Sequence, residues 1–161
     1  MPTLTFQLAG QIQTPTGKTV QLPPQAALLQ RGPVVHVSIT AEESVSKALA
    51  QQGQTPPPPK TGWGLIDTGA SNTCVDDQLA QDLRLPVIDV VTVSSASHES
   101  TQQNVYPVQI AIPGLRLNLQ APKAIGAALA AQGLAVLIGR DVLQRCIFIY
   151  NGPAGSITIA I

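Results

Sequence analysis

One acid in this chain stands where acids are seldom found. Leu65 and Ile66 run directly into Asp67-Thr68-Gly69, so an apolar strand delivers a carboxylate to a turn. Asp is depleted in strands and rarely buried without a partner, whereas Gly69 tolerates positive φ and lets another backbone come close. A carboxylate held rigidly at the end of a core strand is suited to activating water as a general base. A second glycine breaks an apolar strand further on, in Leu137-Ile138-Gly139-Arg140-Asp141. Taken alone, Asp67-Thr68-Gly69 equally fits an Asx turn whose carboxylate is satisfied by local amides. The second motif shifts the reading toward chemistry.

The other reactive residues form no competing set. His98 and Glu99 sit side by side, but no Ser-His-Asp or Cys-His arrangement has its three parts in recognisable contexts. Cys74 and Cys146 are far apart and lack CxxC or His-rich surroundings, so both read as small buried apolar residues. Two Cys and two His do not supply the four ligands of a structural zinc site, and neither metal nor cofactor is expected. Formal net charge is zero and Lys and Arg form no runs, which argues against a nucleic-acid surface. No apolar stretch approaches a membrane span. The start, Met1-Pro2-Thr3-Leu4-Thr5-Phe6, lacks the basic segment and apolar run of a secretory signal, so the expected location is cytoplasmic.

The elements that must position Asp67 are mostly strands. Low charge, 14 Pro and 13 Gly suit a β-rich domain with many turns, its core filled by Val, Ile, Leu and Ala. Leu4, Phe6 and Leu8 alternate with polar residues, Thr14-Pro15-Thr16-Gly17 reads as a turn, and Val20 and Leu22 resume the alternation. This pattern predicts an N-terminal hairpin over 1–22, followed by an ambiguous connection to Gly32. Val35, Val37 and Ile39 form one face of a strand, with His36 on the other. Thr40-Ala41-Glu42-Glu43 fits a capping box opening a helix with Val45, Ala48 and Leu49 buried and Gly53 as its stop. Pro56-Pro57-Pro58-Pro59 then makes a stiff surface connector. Beyond Asp67, Asp76 or Asp77 caps a short helix carrying Leu79 and Leu83. Strands are expected over 87–94, 105–112 and at Leu115, Leu117 and Leu119, with 95–104 as a long polar loop. A helix over 122–132 with Ile125, Ala128 and Leu129 in register, a buried strand over 134–138, a helix after Gly139 and a terminal hairpin complete the chain. The uncharged final strand, 156–161, is a poor free edge and must pair with something.

The order and spacing of Leu65-Ile66-Asp67-Thr68-Gly69-Ala70 and Leu137-Ile138-Gly139-Arg140-Asp141 resemble the retropepsin-like aspartic proteases over about residues 33–161. In that family the first motif is the catalytic loop and the second opens a constant helix that supports it. The resemblance implies an all-β fold with a few short helices, a retropepsin-like acid protease β-barrel, homodimeric, with residues 1–32 as an N-terminal extension. It implies that Asp67 is catalytic, that Thr68 holds the loop by bonding across the dimer, and that Gly69 offers main-chain contacts to substrate. Ala70, Ser71, Ser97 and His98 would contact an extended peptide, the last two from a flap; Leu137, Ile138, Gly139, Arg140 and Asp141 would be structural support.

Residue chemistry agrees with a two-chain site. Peptide hydrolysis by carboxylates needs two of them, one ionised and one protonated, and the chain holds one Asp-Thr-Gly. The second must come from another copy. The chain departs from retroviral members at Ser71 and Asn72, which stand where those place acids, so Arg140 is expected to find another acid or stand freer. The presumed flap also carries no glycine. The competing readings are a non-catalytic dimer of the same fold that binds peptides or mediates assembly, and a latent peptidase blocked by its own arm.

Overall fold

The computed structural model describes residues 2–13, 15–95, 98–115 and 118–161. The chain is mostly β. It opens with β1 (Thr3–Gln7), β2 (Gly10–Gln13), β3 (Thr19–Leu22), α1 (Pro24–Arg31), β4 (Val34–Ala41) and α2 (Glu43–Gln51). β5 (Lys60–Ile66), β6 (Cys74–Asp76), α3 (Asp77–Asp82), β7 (Asp89–Ser95) and β8 (His98–Ala111) follow. β9 (Asn118–Ala127), β10 (Val136–Ile138), α4 (Arg140–Leu143), β11 (Ile147–Asn151) and β12 (Ser156–Ala160) complete it. A seven-stranded sheet runs β4-β5-β10-β6-β9-β8-β7, and β4 also pairs with β8, so the pairings return on themselves through six of the strands. A three-stranded sheet, β1-β12-β11, and the hairpin β2-β3 accompany it.

Alternation explains the large sheet. Val35, Val37 and Ile39 of β4 are buried while His36 is exposed beside Trp63. Tyr106, Val108 and Ile110 of β8 are buried with Ile112 just beyond it, and they meet the β4 face in one core that includes Val75, Val136 and Ile138. β10 is short and apolar because it is flanked on both sides, parallel to β5 and antiparallel to β6. The final strand finds its partners: β12 lies between β1 and β11, with Ile157 and Ile159 fully buried.

Several expected elements take other forms. The N-terminal hairpin forms, but between β2 and β3; β1 pairs instead with β12, where Leu4 and Phe6 face Ile159 and Ile157. β2 could not have buried them, since Gln11, Ile12 and Gln13 are all exposed. The connection before Gly32 is a full helix, α1, with Pro24 in its first turn. No capping box precedes α2. Thr40 is claimed by the ladder to Gln109 of β8, the N-cap is Glu42 without a side-chain bond, and Val45 and Leu49 are only half-buried while Ala48 is exposed.

Residues 122–127, expected as the start of a helix, are strand, the second half of β9. β9 pairs with β8 on one side and β6 on the other, and those ladder bonds override the weak helical pull of its alanines. Pro107 and Pro122 sit where the β8–β9 register shifts, which is where a sheet tolerates proline. Only a 3-10 turn, Ala130–Gln132, remains of the expected helix, and Gly133, with φ 69°, ends it in the left-handed region. The polar stretch 95–104 is likewise mostly strand: β7 and β8 form a long hairpin, paired from Asp89 opposite Val105 to Ser95 opposite His98. The strand expected at Leu115, Leu117 and Leu119 begins at Asn118, and Leu117 lies outside the described residues.

Asp76 binds three of these elements together. It is buried, and its Oδ2 accepts from the Leu79 amide as the N-cap of α3. Its Oδ1 accepts from the amides of Leu129 and Ala130 at 3.0 and 2.9 Å, fixing the turn that leads into β10. Removing that carboxylate takes the acceptor from the Leu79 and Ala130 amides and leaves the Leu129 amide with only the Ala127 carbonyl. Asp76→Ala is therefore expected to lower the unfolding free energy by about 3 kcal/mol in urea titration, whereas Asp82→Ala, on the exposed side of α3, should leave the unfolding midpoint nearly unchanged.

Candidate active site

Asp67 follows the last residue of β5. β5 and β10 run parallel, with Leu65 opposite Leu137 and Ile66 opposite Ile138, so the two glycine-broken strands end side by side. The Asp67 amide extends that ladder by donating to the Ile138 carbonyl at 3.0 Å. The chain then turns, and the Asp67 Oδ1 accepts from the amides of Gly69 at 2.8 Å and Ala70 at 3.3 Å. Asp67 is half-buried, and among the described residues no hydrogen bond reaches its Oδ2.

The start of the second motif closes over this loop. Arg140 and Asp141 donate their amides to the carbonyls of Ala70 and Ser71. The Arg140 guanidinium reaches back, with Nη1 donating to the carbonyls of Thr68 at 3.0 Å and Gly69 at 3.2 Å and Nη2 to Ser71 Oγ at 2.8 Å. The planar fork of arginine suits three acceptors at once, which a lysine could not match. Arg140 thus holds backbone carbonyls and a hydroxyl where either another acid or a freer side chain was expected, and Ser71 accepts one of its bonds.

Beneath the loop, Thr73 is fully buried. Its hydroxyl accepts from the Gly139 amide at 3.1 Å and donates to Asp141 Oδ1 at 2.8 Å. Gly139 is needed here for close approach, because a Cβ on it would lie 2.5 Å from the Asn72 carbonyl carbon and oxygen. Thr73 was not singled out from sequence. Its signal was slight: one hydroxyl between the polar loop and the apolar Val75, in a segment that had to bury both ends.

Of the remaining predicted residues, Thr68 and Ser71 are exposed at the loop, Ala70 is half-buried, and both the amide and the carbonyl of Gly69 are engaged within the chain. Leu137 is half-buried and Ile138 buried. Ser97 lies outside the described residues; the backbone of His98 opens β8 opposite Ser95. Cys74 is half-buried near the loop, and burial, followed by the charges of Asp141 and Asp67, pushes its thiol pKa up. That suppresses the thiolate a nucleophile needs. Among the described residues no three His, Cys, Asp or Glu side chains gather as metal ligands, and no helix is long and apolar enough to cross a membrane.

A cleft of about 460 Å³ runs from Asn72 between the β7–β8 hairpin and β9. Val91, Val93, Val105 and Ile125 make it partly apolar, and Asp89 and Lys123 bring charges to it. Sequence reading did not gather these residues into one cleft, because the helix expected over 122–132 kept Lys123 and Ile125 out of the sheet.

The aspartyl protease family model matches residues 59–142, just over half of the chain, from the connection before β5 into α4. The chain belongs to the aspartyl protease family. The matched range contains both motifs and the whole supporting network. Among solved structures, the protease of Simian Foamy Virus (mac), determined in solution, is similar at 17% identity over 69% of this chain and 91% of that one, with a TM-score of 0.43. The foamy viral protease-reverse transcriptase in complex with RNA/DNA hybrid gives 14% identity over 70% of this chain and 12% of that much longer one, with a TM-score of 0.43. A retropepsin-like aspartic protease from Rickettsia conorii gives 13% identity over 98% of this chain and 92% of that one, with a TM-score of 0.44. At such scores these structures add no argument to the family match. No curated protein matches the chain.

The network makes Thr73 testable apart from catalysis. Thr73→Val keeps the shape but strands the Gly139 amide, and is expected to cost about 2 kcal/mol in urea titration. Thr73→Ser, which keeps the hydroxyl, should recover at least half of that loss.

Proposed function

We propose that the chain is an aspartic endopeptidase that works as a homodimer, with one Asp67 from each copy facing the other across a two-fold axis. The observation that carries this reading is the Asp67 loop itself. One carboxylate oxygen is fixed by the Gly69 and Ala70 amides, the loop carbonyls are held by Arg140, and the chain supplies a single Asp-Thr-Gly. Water attack on a peptide carbonyl needs a base to take the water proton and an acid to hold the carbonyl oxygen. Two like carboxylates in contact cannot both ionise, so a pair sharing one proton supplies both roles.

In this mechanism the ionised Asp67 takes a proton from a bound water, whose oxygen attacks the scissile carbonyl. The protonated Asp67 of the second copy donates to the carbonyl oxygen as it becomes tetrahedral. Collapse of that intermediate breaks the C–N bond as a proton passes to the leaving amine, and no acyl-enzyme forms. Thr68 would bond its twin's loop, and Gly69, Ala70 and Ser71 would line the peptide. The β7–β8 hairpin would close as a flap through Ser97 and His98, with the peptide extended between hairpin and floor. Residues 33–161 would form the peptidase domain and 1–32 an extension to it.

The test is cleavage of a diverse peptide library at pH 4 to 7. Wild type is expected to cleave and Asp67→Asn to be inert. Equal intactness of the library with both proteins, under conditions where they are dimeric, sinks the enzyme reading. Mixing tests the shared site: after subunit exchange at constant total protein, an equal mixture of wild type and Asp67→Asn should retain about one quarter of the activity if both carboxylates are required. One half would mean that each chain acts alone.

A further inference from the structure

A second cleft opens on the face of β5 that carries Asp67. Gly64 and Ile66 of β5 are buried, while Trp63 and Leu65 lie on its other face. The Asp67 amide continues the ladder to Ile138, so alternation carries Asp67 onto the side of Trp63 and Leu65. A cleft of about 340 Å³ lies against these two residues, walled also by Gln132 and Leu134 from the segment before β10 and by Gln30 and Arg31 of α1. At about 3.3 Å per strand residue, Leu65 stands about 7 Å and Trp63 about 13 Å back from Asp67.

Arg31 sets the charge of this cleft. Its guanidinium carbon lies 4.8 Å from the Trp63 ring centroid, and Trp63, the chain's single tryptophan, is 41% exposed. Stacking uses the flat face of a guanidinium and leaves the N–H donors in its plane for other acceptors. Among the described residues those donors make one hydrogen bond, to the Ala9 carbonyl at 3.2 Å, and no ion pair. No acid among the described residues lines the cleft, and the side-chain amides of Gln30 and Gln132 add further donors. A cation held on an aromatic ring, two amides and the apolar Leu65 and Leu134 match a carboxylate on a short apolar stem. The cleft beside the β7–β8 hairpin differs, since it brings together one charge of each sign, Asp89 and Lys123.

The geometry points to an acidic side chain of the peptide substrate, Glu or Asp, as the occupant of this cleft, its carboxylate bound by Arg31. This rests on the peptidase reading of Asp67. An extended peptide rises per residue as a strand does, so the acidic residue falls within about four positions of the scissile bond. A two-fold axis repeats the cleft, so an acid is favoured on either side of that bond. Arg31 lies outside the matched range 59–142, which gives the N-terminal extension a part in choosing substrates.

Digestion of a diverse peptide library at about pH 6, where Glu and Asp are ionised, tests the assignment with wild type, Arg31→Gln and Arg31→Glu. Wild type is expected to prefer sites with Glu or Asp near the cut by at least about tenfold over the same sites with Gln or Asn. Arg31→Gln should lose that preference, and Arg31→Glu should turn it toward Lys and Arg. Binding gives a second measurement, read from Trp63 fluorescence in the Asp67→Asn protein. A blocked alanine pentapeptide with a central Glu should bind at least about tenfold more tightly than its Gln counterpart, and Asp67→Asn/Arg31→Gln should not distinguish the two. Equal binding of the two peptides, or an acidic preference that Arg31→Glu leaves in place, overturns the proposal. Arg31-dependent binding of the Glu peptide by a protein that cleaves nothing keeps the cleft's ligand and removes the catalytic reading. Asp67-dependent cleavage that ignores acidic residues does the reverse.

Discussion

Everything around Asp67 depends on the parallel pairing of β5 with β10. Three register pairs align Ile66 with Ile138, and both strands then break at the same level. A parallel ladder normally continues into a helix crossover; here β5 leaves into a turn and β10, through Gly139, into the short α4, and the two exits satisfy one another. Bonds from Asp67 to Ile138, Arg140 to Ala70, Asp141 to Ser71 and Gly139 to Thr73 stitch them together. The residues that share these bonds are some seventy positions apart in sequence, so the site exists only once the sheet has closed around it. Its rigidity is a property of the fold, not of the loop.

Arg140 shows how that constraint accommodates a changed sequence. The Arg140 guanidinium makes no ion pair among the described residues, and leaving it unbonded would waste its five donors. The carbonyls of Thr68 and Gly69 and the Ser71 hydroxyl give it three acceptors instead. Bonds from a charged donor are about twice as strong as neutral ones, so the loop is held without an ion pair. This leaves the cation beside Asp67 without an acidic partner within ion-pair distance among the described residues.

How far this could be seen from sequence depended on the range of the signal. Asp67, Gly69, Gly139 and Arg140 were visible because each breaks a strongly apolar run, and β4, β5 and β12 because their apolar residues alternate or cluster. What failed was local propensity where long-range pairing decided the outcome. The stretch 122–132 carries five alanines and reads as helix, but strands on both sides claim its backbone through Ala127. Thr40 reads as a cap but is a ladder residue. Asp76 was expected only to cap α3; its bonds to Leu129 and Ala130 link positions more than fifty residues apart, a relation no window of sequence contains.

The Asx turn and the reactive acid are rival accounts of Asp67 in the sequence, and the geometry is compatible with both at once. Local amides do satisfy the carboxylate, as the turn reading requires, but they do so at Oδ1 alone. Two donors on one oxygen fix the carboxylate plane and leave Oδ2 with no bond among the described residues. An acid held only by its turn would gain nothing from Arg140 gripping the carbonyls on either side, nor from Thr73 buried beneath to brace Gly139. That bracing is costly, since it buries a hydroxyl and forbids a side chain at 139. The turn thus holds one oxygen of Asp67 still and leaves the other without a bond among the described residues, which is what the proposed reaction requires.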